Sequence, residues 1–343
     1  MKYEDLMNPE LLYQSFKDCR KNVSWKYSIQ KFSLYRFSEI YDLIEKLKNH
    51  DFSFPAYREF DICERGKVRH IKAMSLQERV LQKTLCREYL VPLLSKSLIF
   101  DNGATLKGKG VAFARKRIVK HLSDFYRKFG KNGYVLQIDF KDYFNSINHQ
   151  KLFELLEKKI KDENILNLLK TLISKNGEKG LGIGSELSQI LAVWFPNKID
   201  HFCKEKLHLK FYGRYMDDTY ILHESKDFLE HCFSEIKKLC EDLRIRVNEK
   251  KSKIISLKNG FVFLKVRYCF SSTGEILRLG GRESCKRERG KFWKFKQLLE
   301  EKVMTLTEIQ NNYKSWRNSV KKFDCYNQIC LTDKKFIKIF GGF

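Results

Sequence analysis

The sequence predicts a mixed α+β fold, and three of its features lead to that prediction. Two short runs rich in Tyr, Phe, Ile and Leu flank Asp217 and Asp218 within residues 211–223, which is typical of a β-hairpin with the acidic pair at its tip. Apolar residues recur at helical spacing elsewhere, for example over residues 37–47 and 226–243. The hydrophobic content of 43%, with 27 Phe and 16 Tyr, suffices for a buried core and argues against disorder.

The length and charge of the chain indicate its size class and the kind of partner it binds. With 343 residues it can form two or three subdomains. Its 67 Lys and Arg outweigh 42 Asp and Glu and leave a formal charge of +25. That excess indicates a long polyanionic partner, with nucleic acid ahead of acidic lipid. A basic surface that only keeps the protein solvated is the alternative.

The sequence predicts neither a membrane protein nor a secreted one. No apolar run approaches the length of a membrane span, and the polar N-terminal residues do not resemble a signal peptide. The ten Cys are scattered without the spacing of a zinc site. We therefore expect reduced thiols in a cytoplasmic protein.

The adjacent carboxylates of Asp217 and Asp218 form the first candidate site. Two like charges on a tight turn oppose each other's ionisation; a bound cation removes that cost, and hard oxygen ligands favour Mg²⁺. A third carboxylate, Asp139, ends an apolar run over residues 134–139 that is typical of a strand. A charge in that position requires a basic partner or a metal. An exposed acidic turn without a ligand is the alternative for the pair.

Two basic residues share one face of a predicted strand in the first third of the chain. Residues 60–64 and 67–71 form a predicted hairpin with Gly66 as its turn residue. Lys67 and Arg69 are two positions apart, so they point to the same side, as a clamp on phosphate oxygens requires. A solvated strand is the alternative.

Further along, a capping box formed by Ser75 and Glu78 predicts the start of a helix, and Pro92 predicts a kink or an end of that helix. The loop at residues 101–110 is rich in Gly and Lys and leads into a basic helix, which suits a phosphate backbone. Its spacing is not that of a Walker loop. The candidate nucleic-acid contacts here are Lys107, Lys109 and Arg115.

The second half of the chain adds a glycine run and a basic segment. Three Gly between residues 180 and 184 precede a predicted helix that extends to about residue 206, and small residues there let another backbone or a base come close. A strand is predicted at residues 261–266. Beyond residue 282 the chain is basic and helical, with Lys286, Arg287 and Lys291 near aromatic residues. This pattern suits a nucleic-acid groove or a solvated surface.

Taken in order, these segments resemble a reverse transcriptase. The shared features are a Lys-x-Arg strand, a strand ending in Asp, a glycine loop before a helix, Tyr-Met-Asp-Asp, a Lys-Lys-Ser turn, Phe-Leu-Lys-Val and a basic helical tail. The ordered set is more specific than Tyr-Met-Asp-Asp alone. It implies a right-hand polymerase with fingers, an antiparallel-sheet palm and a small helical thumb. The implied parts are N-terminal helices and fingers at 1–133, a palm at 134–270 with a fingers-type segment at about 150–180, and a basic helical thumb and tail at 271–343.

The same resemblance implies roles for individual residues. Asp139 and Asp217, with Asp218 beside them and the backbone carbonyl of Phe140, would hold two Mg²⁺ ions, with Mn²⁺ as an alternative. Lys251 would donate a proton to the leaving pyrophosphate. The ring of Phe144 would lie against the sugar and exclude a 2′-hydroxyl. The other implied contacts are nucleotide-binding Lys67, Arg69, Ile183 and Gly184, and primer-binding Phe263 and Leu264.

The glycine loop departs from the common pattern of the family. Many members have Pro-Gln-Gly followed by Ser-Pro, whereas this chain has Gly182, Ile183 and Gly184 followed by Ser188 and Gln189. An apolar residue in place of that glutamine resembles the diversity-generating and some defence-associated bacterial reverse transcriptases.

The expected function is therefore RNA-directed DNA synthesis by two-metal nucleotidyl transfer, on a dedicated non-coding RNA and in anti-phage defence. The expected partners are the RNA template, a DNA primer or cDNA, and deoxynucleoside triphosphates. A partner protein or a homo-oligomer is left open, and no membrane is expected. The alternatives are a diversity-generating retroelement enzyme, a non-catalytic RNA-binding scaffold, and an RNA-dependent RNA polymerase, which Phe144 disfavours.

Overall fold

The computed structural model describes residues 2–64, 66–182 and 184–343, with the side chains of Glu64, Lys67 and Arg69 left aside. Helices and antiparallel strands both occur throughout these residues, which confirms the α+β class. The chain forms two compact units, each built from several segments. Unit 1 comprises Met1–Arg117, Gln137–Ile221 and Phe228–Lys253, and unit 2 comprises Ile118–Leu136, Leu222–Asp227 and Ile254–Phe343. The division into fingers, palm and thumb at residues 133 and 270 stays a prediction.

The helices are numbered in chain order. They are α1 (Pro9–Arg20), α2 (Tyr27–Leu34), α3 (Arg36–Lys48), α4 (Leu76–Leu85), α5 (Val91–Ser95), α6 (Val111–Phe129), α7 (Tyr143–Ser146), α8 (His149–Glu157), α9 (Glu163–Ser174), α10 (Glu186–Trp194), α11 (Asn197–His201), α12 (Lys226–Asp242), α13 (Arg282–Glu300), α14 (Leu306–Val320) and α15 (Tyr326–Phe340). Short 3-10 turns cover Tyr3–Met7 and Leu257–Asn259, and π-helical turns cover Cys86–Leu90 and Phe202–Lys206.

The strands form three sheets. They are β1 (Arg58–Glu64), β2 (Lys67–Ala73), β3 (Tyr134–Ile138), β4 (Tyr212–Tyr215), β5 (Asp218–His223), β6 (Lys253–Ser256), β7 (Phe261–Phe263), β8 (Val266–Phe270) and β9 (Ile276–Leu279). Strands β1 and β2 pair antiparallel as predicted, and Gly66 between them has a positive φ of 78°, which glycine adopts without strain. Four strands form a sheet in the order β4-β5-β3-β6, in which β4 and β5 pair antiparallel. Strands β7, β8 and β9 form an antiparallel sheet in unit 2.

The helix predicted after Ser75 begins where expected, but its capping differs in one respect. The Ser75 hydroxyl oxygen accepts a hydrogen bond from the Glu78 backbone N–H at 3.2 Å. The fully buried Glu78 carboxylate does not return the bond of a capping box; it binds Lys175 at 3.1 Å and the Tyr57 hydroxyl at 3.0 Å. A charged and a hydroxyl partner compensate a buried carboxylate better than one backbone N–H does.

Two proline positions shape the helices of unit 1. Pro92 stands at the start of α5, directly after a π-helical turn, so the helix shifts register there and continues. The single helix predicted from the glycine run to residue 206 is instead divided into α10, α11 and a π-helical turn. Pro196 lies between α10 and α11. The helix is interrupted there because the proline ring prevents the preceding turn from continuing regularly.

The core of unit 2 lies among its last three helices. Phe292 of α13, Tyr313 of α14 and Phe336 of α15 are fully buried. The Tyr313 and Phe336 rings stack with their centroids 4.0 Å apart, and the Tyr313 hydroxyl donates to Asp333 at 2.5 Å. Aromatic packing of this kind lets a small helical bundle keep a dense core. Among the described residues, no helix is both long and apolar enough to cross a membrane.

A fully buried ion pair in unit 1 joins β4 to α11. Arg214 binds Asp200 through its Nε at 2.8 Å and one terminal nitrogen at 2.6 Å, and neither side chain is exposed to solvent. The Tyr212 hydroxyl donates to the same carboxylate at 2.5 Å. The remaining guanidinium donors bind backbone carbonyls: one terminal nitrogen binds that of Val193 at 2.8 Å, and the other that of Met216 at 2.9 Å. The Arg214 guanidinium therefore ties α10 and α11 to the turn that follows β4.

We predict that Arg214→Met lowers the free energy of unfolding by about 3–5 kcal/mol, because it leaves the Asp200 carboxylate buried without a countercharge. Urea unfolding measures the change. Lys198→Met is the matched control, since its pair with Asp242 is more than half exposed and such pairs contribute about 1 kcal/mol or less. Adding Asp200→Asn to Arg214→Met should recover part of the loss. Equal losses in the two single variants would contradict this account.

Candidate active site

The β4–β5 hairpin carries the acidic pair at its tip, as predicted. Tyr215 pairs with Asp218, which leaves Met216 and Asp217 as a two-residue loop. Met216 has φ of 55°, a conformation that short hairpin loops need and that costs energy for a residue other than glycine. Asp217 therefore lies in the loop and Asp218 begins β5. The Arg214 contact to the Met216 carbonyl supports this strained turn from the core side.

Burial and mutual repulsion raise the pKa of both carboxyl groups of the pair. For Asp217 the loss of hydration is the largest cause, and the charge of Asp139 adds to it. The pKa of Asp218 is raised to about 6 by burial first, then by Asp217 and Asp139. Lys251 acts in the opposite direction on both. Since Asp139 acts on each of them, the fold makes one electrostatic group of carboxylates that are far apart in sequence.

Asp139 is held by the segment that follows α12. Its Oδ2 accepts a hydrogen bond from Asn248 Nδ2 at 2.8 Å and lies 3.3 Å from the Lys251 ammonium. The Asp139 backbone N–H donates to Ser252 Oγ at 3.2 Å, and its carbonyl accepts from the Asn248 N–H at 2.8 Å. Four contacts thus fix the position of this carboxylate and of the backbone that bears it.

Lys251 was predicted as a site residue, whereas Asn248 was not predicted and Ser252 had no predicted role beyond the Lys-Lys-Ser turn. Both flank Lys251 closely in the chain, so polar residues around a predicted site lysine were the available signal. Nothing in their spacing indicated that they would bind Asp139, because the contact joins segments more than one hundred positions apart.

The segment after Asp139 turns sharply and brings Phe144 to the glycine loop. Asp142 has a positive φ of 49°, and α7 follows directly. The buried Tyr143 hydroxyl donates to the Ala192 carbonyl at 2.6 Å, which anchors the turn on α10. The half-buried Phe144 accepts a backbone hydrogen bond from the Leu181 N–H at 2.7 Å. Phe140 is buried, and its backbone forms an antiparallel bridge with Val247.

The glycine run lies between this turn and α10. Gly180 has φ of 88° and its N–H donates to the Ile147 carbonyl at 2.8 Å; an added Cβ there would come within 2.9 Å of the Asn145 carbonyl oxygen. Gly184 is exposed with φ of 113°. Ser185 then caps α10 by accepting from the Ser188 N–H at 2.9 Å. Ile183 lies outside the described residues.

The other predicted basic and aromatic contacts are distributed over both units. In unit 1, Lys67 and Arg69 lie on β2, opposite Glu64 and Ile62 of β1, and their shared strand face follows from the backbone alone. In unit 2, Phe263 is buried and Leu264 occupies a two-residue loop between β7 and β8 with φ of 48°. On α13 the predicted contacts Lys286, Arg287 and Lys291 are exposed, and Lys291 also binds the buried Glu288 at 2.9 Å.

The Gly- and Lys-rich loop of unit 1 differs from the predicted open phosphate site in one respect. Lys107 is exposed. The Lys109 ammonium instead donates to the Phe100 carbonyl and lies over the Phe113 ring at 4.0 Å. Burial lowers the pKa of Lys109. The first role of Lys109 is therefore to hold the loop closed. Arg115 is half-buried on α6.

The donor set around Asp139 suits a hard divalent cation. Carboxylate oxygens are the ligands that Mg²⁺ prefers, and burial, with the charges of neighbouring carboxylates, raises the pKa of Asp217 and Asp218 even though Lys251 acts in the opposite direction. Among the residues that the structure describes, no three His, Cys, Asp or Glu side chains are already arranged as a metal cage. Lys251, whose side chain is 64% exposed, can withdraw from Asp139 at little cost. The residues therefore fit a site that a cation completes.

Comparison with known proteins identifies the class. The sequence profile of the family described as "Reverse transcriptase (RNA-dependent DNA polymerase)" matches residues 47–287, which is more than half of the chain. The chain therefore belongs to the reverse transcriptase family, and it is an RNA-directed DNA polymerase that acts on an RNA template.

Three curated proteins of Escherichia coli are similar to it. Protein YkfC of strain K12 is 22% identical over 262 residues, which cover 64% of this chain and 68% of the relative. The Retron Ec83 reverse transcriptase is 24% identical over 272 residues, covering 71% and 81% respectively. The Retron Ec73 reverse transcriptase is 28% identical over 182 residues, covering 47% and 56%.

Solved structures show the same fold. The chain is similar to telomerase from Candida albicans in complex with a TWJ fragment of telomeric RNA, with a TM-score of 0.52 and 14% identity over 90% of this chain. It is also similar to apo telomerase from Candida tropicalis truncated from its C-terminal domain, with a TM-score of 0.50 and 16% identity over 66% of this chain. It spans 63% and 55% of those chains. The predicted right-hand polymerase fold is thereby confirmed.

The raised pKa of Asp218 predicts that the free energy of unfolding of the metal-free protein depends on pH. Because the pKa in the folded state is about 6 and the ordinary value is 3.8, the folded protein keeps a proton that the unfolded chain releases in this window. Stability therefore falls as pH rises from about 4 to about 6. We expect Asp218→Asn to raise the free energy of unfolding by about 1–2 kcal/mol at neutral pH. The gain should vanish below about pH 4.

Urea unfolding at a series of pH values, in the presence of a chelator, measures this effect. Asp142→Asn is the control, because Asp142 is exposed and close in sequence to Asp139. Mg²⁺ should stabilise the wild-type protein more than the Asp218→Asn variant. A variant that is equally or less stable than wild type at neutral pH would show that the Asp218 charge is already compensated.

Proposed function

We propose that this reverse transcriptase uses two Mg²⁺ ions bound by Asp139, Asp217 and Asp218, with the backbone carbonyl of Phe140 as a further ligand. The observation that carries the proposal is the shared electrostatics of the three carboxylates, in which Asp139 raises the pKa of both hairpin residues. When bound, the ions would stabilise the charge that develops on the attacking and leaving oxygens. Mn²⁺ is an alternative occupant, since it favours the same ligands.

The chain's own residues would orient the reactants for one bond exchange. The primer 3′-hydroxyl loses its proton to solvent and its oxygen forms a bond to the α-phosphorus of the nucleotide, while the bond to the bridging oxygen breaks to release pyrophosphate. Lys251 is proposed to give a proton to that leaving group, since its ammonium lies beside the carboxylates, 3.3 Å from Asp139. Asn248 and Ser252 hold Asp139 in place, so they are positioning residues.

Asp217→Asn should abolish nucleotide incorporation, with a loss of at least about a thousandfold, because one neutral amide cannot replace a carboxylate that would hold the ions. RNA binding and thermal unfolding should remain close to wild type. Primer extension on a defined RNA template measures the loss, and Asp142→Asn serves again as the exposed neighbouring control. Extension by the Asp217→Asn variant within tenfold of wild type would refute the two-metal assignment.

We also propose that Phe144 selects deoxynucleotides. Support comes from its position: the residue is half-buried, and its carbonyl binds the Leu181 N–H of the glycine run, which fixes the backbone on which the ring stands. A bulky ring against the sugar excludes a 2′-hydroxyl by its volume. The glycine run would approach the nucleotide through Ile183 and Gly184, and Lys67 and Arg69 would hold its triphosphate.

Phe144→Ala should reduce discrimination against ribonucleotides by about tenfold or more, since the loss of shape exclusion corresponds to differences of about 1–3 kcal/mol. Incorporation of deoxynucleotides should change little. Competition between the two substrates in primer extension gives the ratio. Phe153→Ala is the matched control, because Phe153 is also half-buried but lies on α8. A wild-type enzyme that uses both substrates equally would contradict the steric role of Phe144.

The proposed nucleic-acid contacts follow the basic and aromatic residues of each unit. They are Lys107, Lys109 and Arg115 in unit 1, and Phe263, Leu264, Lys286, Arg287 and Lys291 in unit 2. Lys107 and the basic residues of α13 are exposed, as phosphate contacts require. Lys109 contributes indirectly, since its ammonium already binds the Phe100 carbonyl.

For the biological setting we propose a dedicated non-coding RNA template and a role in anti-phage defence. The similarity to two retron reverse transcriptases supports a bacterial element that supplies its own RNA. A diversity-generating retroelement enzyme is the second candidate, favoured by the apolar Ile183 in the glycine run. Sequencing the RNA and cDNA that co-purify with the protein distinguishes the two: one recurrent structured RNA supports the first, and copies of a variable coding segment support the second.

A further inference from the structure

A cluster of large aromatic residues is exposed in and around α2 and α3. We call it the N-terminal aromatic surface, and it consists of Trp25, Tyr27, Tyr35, Phe37 and Tyr41, with exposed fractions between 55% and 78%. The aliphatic Leu34 is 72% exposed beside them. Single exposed apolar residues are ordinary, but a group of this density marks an interaction site.

These residues do not belong to the core, because each helix already buries its opposite face. In α2 the residues Ile29 and Phe32 are buried, while Tyr27 and Leu34, seven positions apart, lie on the outer face. In α3 the core face contains Ile40, Leu43 and Leu47. Phe37 and Tyr41, four positions apart, lie on the outer face of that helix. An outer face is normally polar, so these rings are in excess of what the fold requires.

The charge around this surface is positive. Residues 17–41 contain six Lys and Arg and two acidic residues. Both acidic residues are engaged: Asp18 binds Lys21 at 2.7 Å, and Glu39 accepts from Gln77 at 2.8 Å. Six cations against two carboxylates leave this stretch with a net charge of +4.

Two of the cations already lie over the rings. The Lys26 ammonium is 5.6 Å from the centre of the Trp25 ring, and the Arg36 guanidinium is 4.7 Å from that of Phe37. Arg36 also donates to the Ser33 carbonyl at 3.1 Å, which restrains it above Phe37. Rings held in place next to cations lose little freedom when a second flat group stacks on them.

We propose that the N-terminal aromatic surface binds single-stranded nucleic acid, with bases stacked on the rings and phosphates on Lys26 and Lys31. Exposed aromatics interleaved with basic residues are the arrangement that such strands use. A second copy of the chain is a poorer occupant, since it would bring two basic surfaces together. All of its residues precede residue 47, where the reverse transcriptase family match begins, and none of them is among the residues proposed to bind the metal ions.

The test compares three variants of the full chain. The first removes rings from the outer faces (Tyr27→Ser, Phe37→Ser and Tyr41→Ser together). The second keeps the rings and removes two hydroxyls (Tyr27→Phe with Tyr41→Phe), and the third removes only aliphatic surface (Leu34→Ser). Fluorescence anisotropy measures the affinity for labelled single-stranded RNA and DNA of about 20 nucleotides. A saturating primer–template duplex is present so that the polymerase site is occupied.

The triple variant should bind single strands about tenfold or more weakly, since stacking of each base contributes substantially. The other two variants should stay within about twofold of wild type. Extension of a pre-annealed primer should be unchanged in all three, which separates this surface from catalysis. Unequal losses for RNA and DNA identify which strand it binds.

Two results would overturn the proposal. One is unchanged single-strand affinity in the triple variant. The other is an equal effect of Leu34→Ser and of the triple variant on self-association or on binding to anionic phospholipid vesicles, since general apolarity and not stacking would then be the property in use. Thermal unfolding of each variant checks that these surface changes leave the fold intact.

Discussion

Asp217 and Asp218 can remain side by side in a half-buried turn because Arg214 anchors that turn from inside the core. A single guanidinium binds the Asp200 carboxylate and the carbonyls of Val193 and Met216. It thereby connects α10, α11 and the hairpin loop without any exposed contact. Burial makes the anchor rigid, and it also makes the turn dependent on it, because no water can replace a missing partner.

The two sides of the turn have opposite electrostatics. Behind it, the charges of Asp200 and Arg214 compensate each other, and the Tyr212 hydroxyl also donates to Asp200. In front, the carboxylates repel each other, and Lys251 offsets only part of that repulsion. The turn is strained in its backbone as well as by charge repulsion, because Met216 has a positive φ. A rigid, compensated support is what allows a charged and strained group to persist until a cation neutralises it.

Local sequence patterns predicted the parts of the site that depend on neighbouring residues. The acidic hairpin, the strand that leads to Asp139 and the β1–β2 hairpin follow from period-two alternation and turn residues. Contacts between distant segments could not be predicted in this way. Arg214, for example, pairs with Asp200 because the packing of α11 brings that carboxylate to it. For the same reason Glu78 was expected to cap its helix and instead binds Lys175 of another helix end.

Composition predicted a polyanionic partner, but it could not locate the contact, because net charge is a property of the whole chain. A Tyr or Phe at helical spacing is indistinguishable from a core residue until the packing of the helix is known. In α2 and α3 the buried faces are already complete with aliphatic and aromatic residues, and only this fact reveals that Tyr27, Phe37 and Tyr41 are surplus to the core. The basic residues around them then acquire a meaning that the charge count alone did not give: flat, uncharged rings and restrained cations alternate along one stretch of the surface, as the bases and phosphates of a single strand do.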